Sequence, residues 1–281
     1  AGHVRIYEWS GSAWVQKGSD IDGEAASDFS GWSVSLSSDG SIVAIGATNN
    51  DGTGTDAGHV RIYEWSGSAW VQKGSDIDGE AAGNESAFSV SLSSDGSIVA
   101  IGARINNSAA GHVRIYEWSG SAWVQKGSDI DGEAGSDLSG NSVSLSSDGS
   151  IVAIGAIWND GTGTNAGHVR IYEWSGSAWV QKGSDIDGEA QYNQAGYSVS
   201  LSSDGSIVAI GAIGNDANGS LTGHARIYEW TGSAWVQLGG DIDGEAADDR
   251  SGYSVSLSSD GSIMAIGAIY NDGNGSNAGH V

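Results

Sequence analysis

The sequence contains no cysteine and no proline among its 281 residues, and only one methionine and two phenylalanines. The lack of cysteine excludes disulfides and thiol chemistry. No apolar run approaches the roughly 18 residues that a membrane-spanning helix needs, so we expect no membrane insertion. Because proline is missing, turns must be made by other residues, and the 46 glycines supply them.

Basic residues are also scarce, since 11 Lys and Arg stand against 35 Asp and Glu, which gives a net charge of −24. Nucleic-acid binding needs a cationic surface, so this composition excludes nucleic acid as a partner. Two explanations of the charge stay open. One is solubility, for example in a salty medium that screens repulsion. The other is a set of acidic sites for cations.

One segment of the chain recurs throughout its length. The stretch "AGHVRIYEWSGSAWVQKGSDIDGEA" begins at Ala1 and returns at Ala57, Ala110 and Ala166, and a near-copy begins at Thr222. The histidine of this segment recurs every 56 residues, apart from one step of 53, up to a final "AGHV" at residues 278–281. A period of this size is typical of propellers, solenoids and other arrays.

Each repeat carries four strand signals and no helical periodicity. In the first full copy they are 31–37, where apolar residues and serines alternate, 41–47, which is apolar on both faces, 59–65 and 70–74. Alternation, β-branched residues and Gly/Ser/Asp turns are typical of strands joined by hairpins. Four short antiparallel strands in each of five repeats predict an all-β chain that forms a β-propeller. We expect the two Trp of each repeat, such as Trp9 and Trp14, to pack between blades.

The stretch "SGYSVSLSSDGSIMAIGAIYNDGNGSNAGHV" (251–281) resembles the FG-GAP repeat of integrin α-subunit propellers and their bacterial relatives. The family pattern is Phe-Gly, a strand, a calcium-binding turn, a strand that ends in Gly-Ala-Pro, and a further strand. Three features differ in this chain. The Phe is replaced in four of the five copies, the Pro in all five, and the turn keeps a single carboxylate, at Asp39, Asp95, Asp148, Asp204 and Asp260.

The strand order that the resemblance implies places "SVSLS" innermost and "WVQKG" outermost. The chain then starts with two outer strands and ends with two inner strands. We therefore predict one domain over 1–281, a closed five-bladed propeller in which the N- and C-terminal strands share one blade. In that blade we expect the N-terminal segment, and not the repeated AGHV of residues 278–281, to form the third strand. The predicted blade parts are 1–23 with 251–281, 29–79, 86–132, 139–188 and 195–244.

Two long connections per repeat should meet on one rim of the propeller, and the copies differ mainly there. Extra aromatic side chains also lie in or beside these connections, next to Asp and Asn, which suits carbohydrate ligands. The alternative is that the rings form small local cores under the loops. The candidate ligand-binding residues are Trp32, Trp158, Tyr192, Tyr197, Tyr253 and Tyr270.

The sequence predicts neither a metal site nor a cofactor. "SDIDGE" recurs with alternate carboxylates such as Asp20 and Asp22, but turn capping explains them as well as a cation does. The interior histidines are interpreted as packing positions between blades. No phosphate loop, HExxH or nucleophile elbow occurs in the sequence.

These observations predict a non-catalytic binding or adhesion module, extracellular or at the cell surface and monomeric, whose partner is a glycan or a cell-surface protein. Two alternatives stay open: a structural spacer in a long surface array, and a glycan hydrolase, since paired carboxylates are plentiful. Fold alone does not decide between them.

Overall fold

The computed structural model describes residues 1–217 and 219–281, and nearly all of its regular structure is β. Blade 1 shows the plan. Four antiparallel strands follow one another as a meander, β5 (Ser30–Leu36), β6 (Ile42–Ala47), β7 (His59–Trp65) and β8 (Trp70–Gln72). A short fifth strand, β9 (Ile77–Asp78), pairs with the start of β7, which the sequence analysis did not predict.

Three more blades repeat this plan. Blade 2 contains β10 (Ser89–Leu92), β11 (Ile98–Ala103), the single turn α1 (Asn106–Ala109), β12 (His112–Trp118), β13 (Trp123–Gln125) and β14 (Ile130–Asp131). Blade 3 contains β15 (Ser139–Leu145), β16 (Ile151–Ala156), β17 (His168–Trp174), β18 (Trp179–Gln181) and β19 (Ile186–Asp187). Blade 4 contains β20 (Ala195–Leu201), β21 (Ile207–Ala212), β22 (His224–Trp230), β23 (Trp235–Gln237) and β24 (Ile242–Asp243).

Two half-blades flank these four. The N-terminal half-blade contains β1 (His3–Val4), β2 (Tyr7–Trp9), β3 (Trp14–Gln16) and β4 (Ile21–Asp22), and the C-terminal half-blade contains β25 (Ser251–Leu257) and β26 (Met264–Ala268). The prediction of an all-β propeller built from five blade units is thus confirmed. Among the described residues, no helix is long and apolar enough to cross a membrane.

The hydrophobic core is divided into layers, one between each pair of neighbouring units. All six residues of β6 are buried, and they serve two layers. Val43 and Ile45 pack on the N-terminal half-blade, whereas Ile42 and Ala44 pack on blade 2. This arrangement explains why the strand is apolar on both faces, since a sheet covered on both sides has no solvent face.

Serine hydroxyls join the innermost strands of adjacent blades. Ser142 Oγ of blade 3 donates to the carbonyl of Gly196 in blade 4 at 2.7 Å. Ser144 Oγ, two residues further along the same strand, accepts from the backbone N–H of Leu201 at 3.0 Å. The same two bonds recur between the other neighbouring blades with small shifts. The small hydroxyl side chain therefore lets the strands approach closely and satisfies backbone groups across the gap.

The paired tryptophans close the outer edge of each interface, as predicted. Trp70 Nε1 donates to the carbonyl of Lys17 in the preceding unit at 2.6 Å, and its ring lies 5.3 Å from that of Trp65. The ammonium of Lys17 sits 5.5 Å from the Trp65 ring centroid. Gly18 has a positive φ of 81°, and a Cβ there would come within 2.8 Å of Trp65, so only glycine fits.

The pairing at the chain ends differs from the prediction. We expected the N-terminal strand beside β26, but Ala268 instead exchanges two backbone hydrogen bonds with His280, at 2.9 and 3.0 Å. The N-terminal strands pair among themselves, β1 with β4 and β2 with β3. The reason is the local connection: His280 follows Ala268 at the same spacing at which His59 follows Ala47, so a short loop delivers it.

The end faces of the stack consequently stay accessible. Trp14 at the N-terminal end is 68% exposed, and Ile263 at the C-terminal end is 71% exposed, although its equivalent Ile42 in blade 1 is buried. Leu36, whose equivalent Leu92 is buried between blades, is also exposed. These positions mark the two halves of an inter-blade interface.

We predict that Ser144→Ala lowers the free energy of unfolding by about 1–2 kcal/mol, because it removes the acceptor of the Leu201 N–H at a blade interface. Urea unfolding followed by tryptophan fluorescence measures the change. The control is Ser177→Ala in an exposed turn, which should change stability by less than about 0.5 kcal/mol. Equal losses in the two variants would contradict the role assigned to the interface serines.

Candidate ligand-binding rim

The two long connections of each repeat lie against each other, held by buried polar side chains. Asp28 is 3% exposed, and its Oδ2 accepts from the Ala25 N–H at 3.0 Å and from Asn50 Nδ2 at 3.1 Å. Asn50 Oδ1 in turn accepts from the Gly52 N–H at 2.9 Å. Asp137 with Asn159 and Asp249 with Asn271 repeat the Asp–Asn bond. The loops are thus fixed to the scaffold in a defined conformation.

Each innermost strand has a residue at an equivalent position near its start, which in blade 1 is two residues after the first residue of β5. Across the repeats these residues form a row. We call it the mouth arc, and its members are Trp32, Phe88, Asn141, Tyr197 and Tyr253. The innermost strands of neighbouring units contact one another, so these side chains follow each other from blade to blade. The result is a band of four aromatic rings around one asparagine.

Ring contacts show that the arc is continuous at both ends. The centroids of Trp32 and Phe88 are 5.5 Å apart, and those of Tyr197 and Tyr253 are 4.9 Å apart. Trp32 is 54% exposed and Tyr253 is 37% exposed, so ring surface is open to solvent at each end. Burial, together with a hydrogen bond to Tyr253, raises the pKa of Tyr197, so this phenol stays neutral.

Polar groups occupy the middle of the mouth arc. The guanidinium carbon of Arg104 lies 3.5 Å from the centroid of Phe88, and its Nη1 lies 3.5 Å from Asn141 Oδ1. Glu85 Oε2 accepts from the same guanidinium at 3.4 Å. Asn141 Nδ2 donates to the carbonyl of Tyr197 at 3.2 Å. Hydrogen-bonding groups therefore separate two aromatic pairs.

The six residues predicted from the sequence divide into two groups. Trp32, Tyr197 and Tyr253 belong to the mouth arc, whereas Trp158, Tyr192 and Tyr270 lie in the connecting loops as exposed rings, 41%, 54% and 39% accessible. Arg250 covers the Tyr270 ring at 5.2 Å. The prediction omitted Phe88 and Arg104, although alignment of the repeats places Phe88 at the position of Trp32.

The interior histidines are the first residues of the third strands, where the rim connections join the blades. His59, His112, His168 and His224 are 0–2% exposed. Burial lowers the pKa of each, to about 4 for His224, so the imidazoles are neutral at pH 7. Each lies close to two carboxylates, an arrangement that the sequence analysis did not foresee.

Residues 242–281 match the sequence pattern of the FG-GAP repeat. The match covers only the last part of the chain. The match runs from β24 through the C-terminal half-blade, and the other copies share its hairpin and its Gly-Ala strand end. No curated protein sequence matches the chain.

Solved structures of similar shape support the propeller fold. Kuenenia stuttgartiensis hydrazine synthase is similar with a TM-score of 0.56 at 14% identity, over 84% of this chain and 61% of that one. A putative 6-phosphogluconolactonase from Bacteroides uniformis is similar with a TM-score of 0.58 at 13% identity, over 92% of this chain and 73% of that one. The chain thus spans about three fifths of the hydrazine synthase chain, and identities this low indicate the fold alone.

The hairpin turn that the FG-GAP resemblance links to calcium is satisfied by its own serines. Asp39 Oδ1 accepts from Ser37 Oγ at 2.8 Å, from the Ser41 N–H at 2.9 Å and from Ser41 Oγ at 2.7 Å. These bonds, chiefly the backbone one from Ser41, lower the pKa of Asp39 to about 2. Hydroxyl donors thus stand where further carboxylate ligands would be needed.

We therefore predict that calcium is not needed for folding. Metal-free protein should melt at the same temperature with and without added calcium, because a turn with one carboxylate offers too few ligands. A calcium-dependent increase of several degrees would correspond to more than about 1–2 kcal/mol of linked binding and would contradict the prediction.

Proposed function

We propose that this FG-GAP propeller is a non-catalytic, extracellular binding module that holds a neutral oligosaccharide on its loop rim. The observation that carries the proposal is the mouth arc, in which two aromatic pairs, each with one exposed ring, flank Arg104 and Asn141. Aromatic faces pack against the apolar faces of sugar rings, and the polar groups between them match hydroxyls.

The length of the arc favours an extended ligand over a single sugar. Its rings come from four different blade units, and Asn141 lies between the two pairs along the arc, which suits a ligand of more than one sugar ring. The ligand is proposed to be uncharged because the net charge of −24 repels an acidic glycan. Each stacked ring contributes about 0.5–1.5 kcal/mol beyond its buried area, so a single rim binds weakly and several modules together bind better.

The lack of catalysis is part of the proposal. Carboxylates of the rim connections, such as Asp28 and Asp137, are buried and engaged with loop amides and Asn side chains, so they are committed to holding the loops. The repeats also place the same groups in each blade, whereas a reaction centre needs different groups at different positions. The two structural neighbours carry enzyme names, and at their low identity those names do not transfer to this chain.

The test is binding to a panel of neutral oligosaccharides, followed by titration calorimetry on the best ligand. We expect the double variant Trp32→Ala/Tyr253→Ala to lose affinity by roughly tenfold or more, because one stacked ring is removed from each end of the arc. The matched control is Trp14→Ala/Tyr7→Ala, which removes exposed rings of the same types from the strands of the N-terminal half-blade and should bind normally. Melting curves of both variants report whether the fold is kept.

Three results would contradict the proposal. Absence of binding to every glycan would favour a structural spacer. Equal losses in the arc and control variants would remove the arc from the site. Release of reducing sugar from the ligand would show a hydrolase.

A further inference from the structure

The same three side chains come together in four places. In each, a buried histidine at the start of a third strand lies between a glutamate from the preceding connection and an aspartate from the following one. In every cluster one ligand atom from each residue lies within 4.8 Å of the others. The clusters are Glu24–His59–Asp76, Glu80–His112–Asp129, Glu133–His168–Asp185 and Glu189–His224–Asp241.

The cluster of blade 3 shows the geometry. His168 Nδ1 lies 3.9 Å from Glu133 Oε2 and 3.7 Å from Asp185 Oδ2, too far for hydrogen bonds. The imidazole is 99% buried, and its Nδ1 has no hydrogen-bond partner among the described residues. The Nδ1 atoms of His59 and His224 are unpartnered in the same way. A buried polar atom without a partner is costly and rare, and here it recurs at equivalent positions.

The charges around the cluster leave an excess of negative charge. Glu133 and Asp185 face His168, and Asp187 lies opposite it in the strand pairing of β17 with β19. Arg170 is the cation in contact, with Nη1 3.7 Å from Glu133 Oε1, whereas Oε2 of the same carboxylate lies 3.9 Å from the imidazole. Three carboxylates against one guanidinium favour a divalent cation next to the neutral imidazole.

We propose that each cluster binds a zinc ion through the histidine Nδ1 and one oxygen of each carboxylate. Tetrahedral zinc with bonds of about 2.0–2.1 Å holds its ligand atoms about 3.3 Å apart, so the observed 3.7 and 3.9 Å need to contract by about 0.4–0.6 Å. The two carboxylate oxygens, which lie within 4.8 Å of each other, must also approach, which the exposed Glu133 side chain allows. One imidazole nitrogen with two carboxylate oxygens is a donor set that suits zinc. Calcium and magnesium prefer oxygen ligands alone and in larger number.

The zinc has a route to the site and a free coordination position. Asp185 lines an open cleft of about 430 Å³ between blades 3 and 4, together with Tyr228 and Trp235. Glu133 is 45% exposed, so its carboxylate can adjust to the metal. Three protein ligands leave the fourth position to water.

Zinc at this place would join consecutive units. Glu133 lies on the connection that follows blade 2, His168 on the third strand of blade 3, and Asp185 on the connection that leaves blade 3. A metal bound to all three fixes the rim connections to the blade. Its effect is distinct from oligosaccharide binding, because none of the three residues belongs to the mouth arc.

The chain contains its own negative control at the C-terminal end. His280 lies 3.8 Å from Glu245, but it is 41% exposed, and no aspartate completes its cluster among the described residues. The expected stoichiometry is therefore four zinc ions per chain.

The experiment measures zinc bound per chain by elemental mass spectrometry, after equilibration with zinc chloride and gel filtration. Wild-type protein should retain four ions, Glu133→Gln three, and the variant Glu24→Gln/Glu80→Gln/Glu133→Gln/Glu189→Gln none. The matched control is Glu8→Gln/Glu64→Gln/Glu117→Gln/Glu173→Gln. It alters four exposed glutamates that pair with lysines and should still retain four. Cobalt in place of zinc should give the visible absorption of a tetrahedral site in wild type and control alone.

The proposal is overturned if wild-type protein retains less than one zinc, or if the site and control variants lose the same number of ions. Near-UV circular dichroism checks that each variant is folded. If the fourfold site variant is not folded, the Glu133→Gln variant decides the test. A loss of one zinc ion per chain supports a defined site, because nonspecific surface binding does not fall by a whole ion when one of many exposed carboxylates is removed.

Discussion

The contact between neighbouring blades is the constraint on which the rest of the molecule depends. A single blade has apolar residues on both faces of its second strand, so it cannot hide its core alone. Stacking hides both faces, while serine hydroxyls and tryptophan N–H groups satisfy the backbone across the gap. Stability in such a stack comes from nearest-neighbour interfaces, and each one must be formed by the same residues.

Because of this constraint, the blade strands keep nearly the same residues in each repeat, whereas the residues at the rim vary. The strands repeat almost letter for letter because those of the inner blades all pack between two neighbours. The connections and the first residues of the innermost strands face the rim, and they differ between copies. Trp32 and Asn141 hold equivalent places with different chemistry, while Val43 and Val152 stay identical in the core. A varied surface can therefore be built on a uniform scaffold.

The sequence was sufficient to predict the strands and their order, since neither the alternation in 31–37 nor the apolar run 41–47 has the hydrophobic periodicity of a helix. It also indicated the packing role of Trp65 and Trp70. The short strand Ile77–Asp78 escaped prediction because two residues carry no periodicity. The pairing of Ala268 with His280 was not predicted, because residues 1–4 and 278–281 have the same sequence and both are candidates to pair with the strand that contains Ala268.

The candidate sites were less predictable, for a physical reason. Glu133, His168 and Asp185 lie far apart along the chain, and only the folding of two connections onto one blade brings them within contact distance. Each residue taken alone has an ordinary interpretation as a turn cap or a packing position. Phe88 escaped for a simpler reason, since its repeat lacks the glycine that marks the position elsewhere.

The near-identity of the blade interfaces also affects how the chain folds. Because the second strand of one blade has the same "IVAIGA" sequence as that of the next, a strand can pair with a hairpin one repeat away without losing a contact. The unfolded chain therefore faces several registers, one repeat apart and nearly equal in energy, which is the situation that favours misassembly and swapping in repeat proteins. The variable loops, with their unequal lengths and polar partners, are the elements of the chain that can distinguish the correct neighbour from its copies.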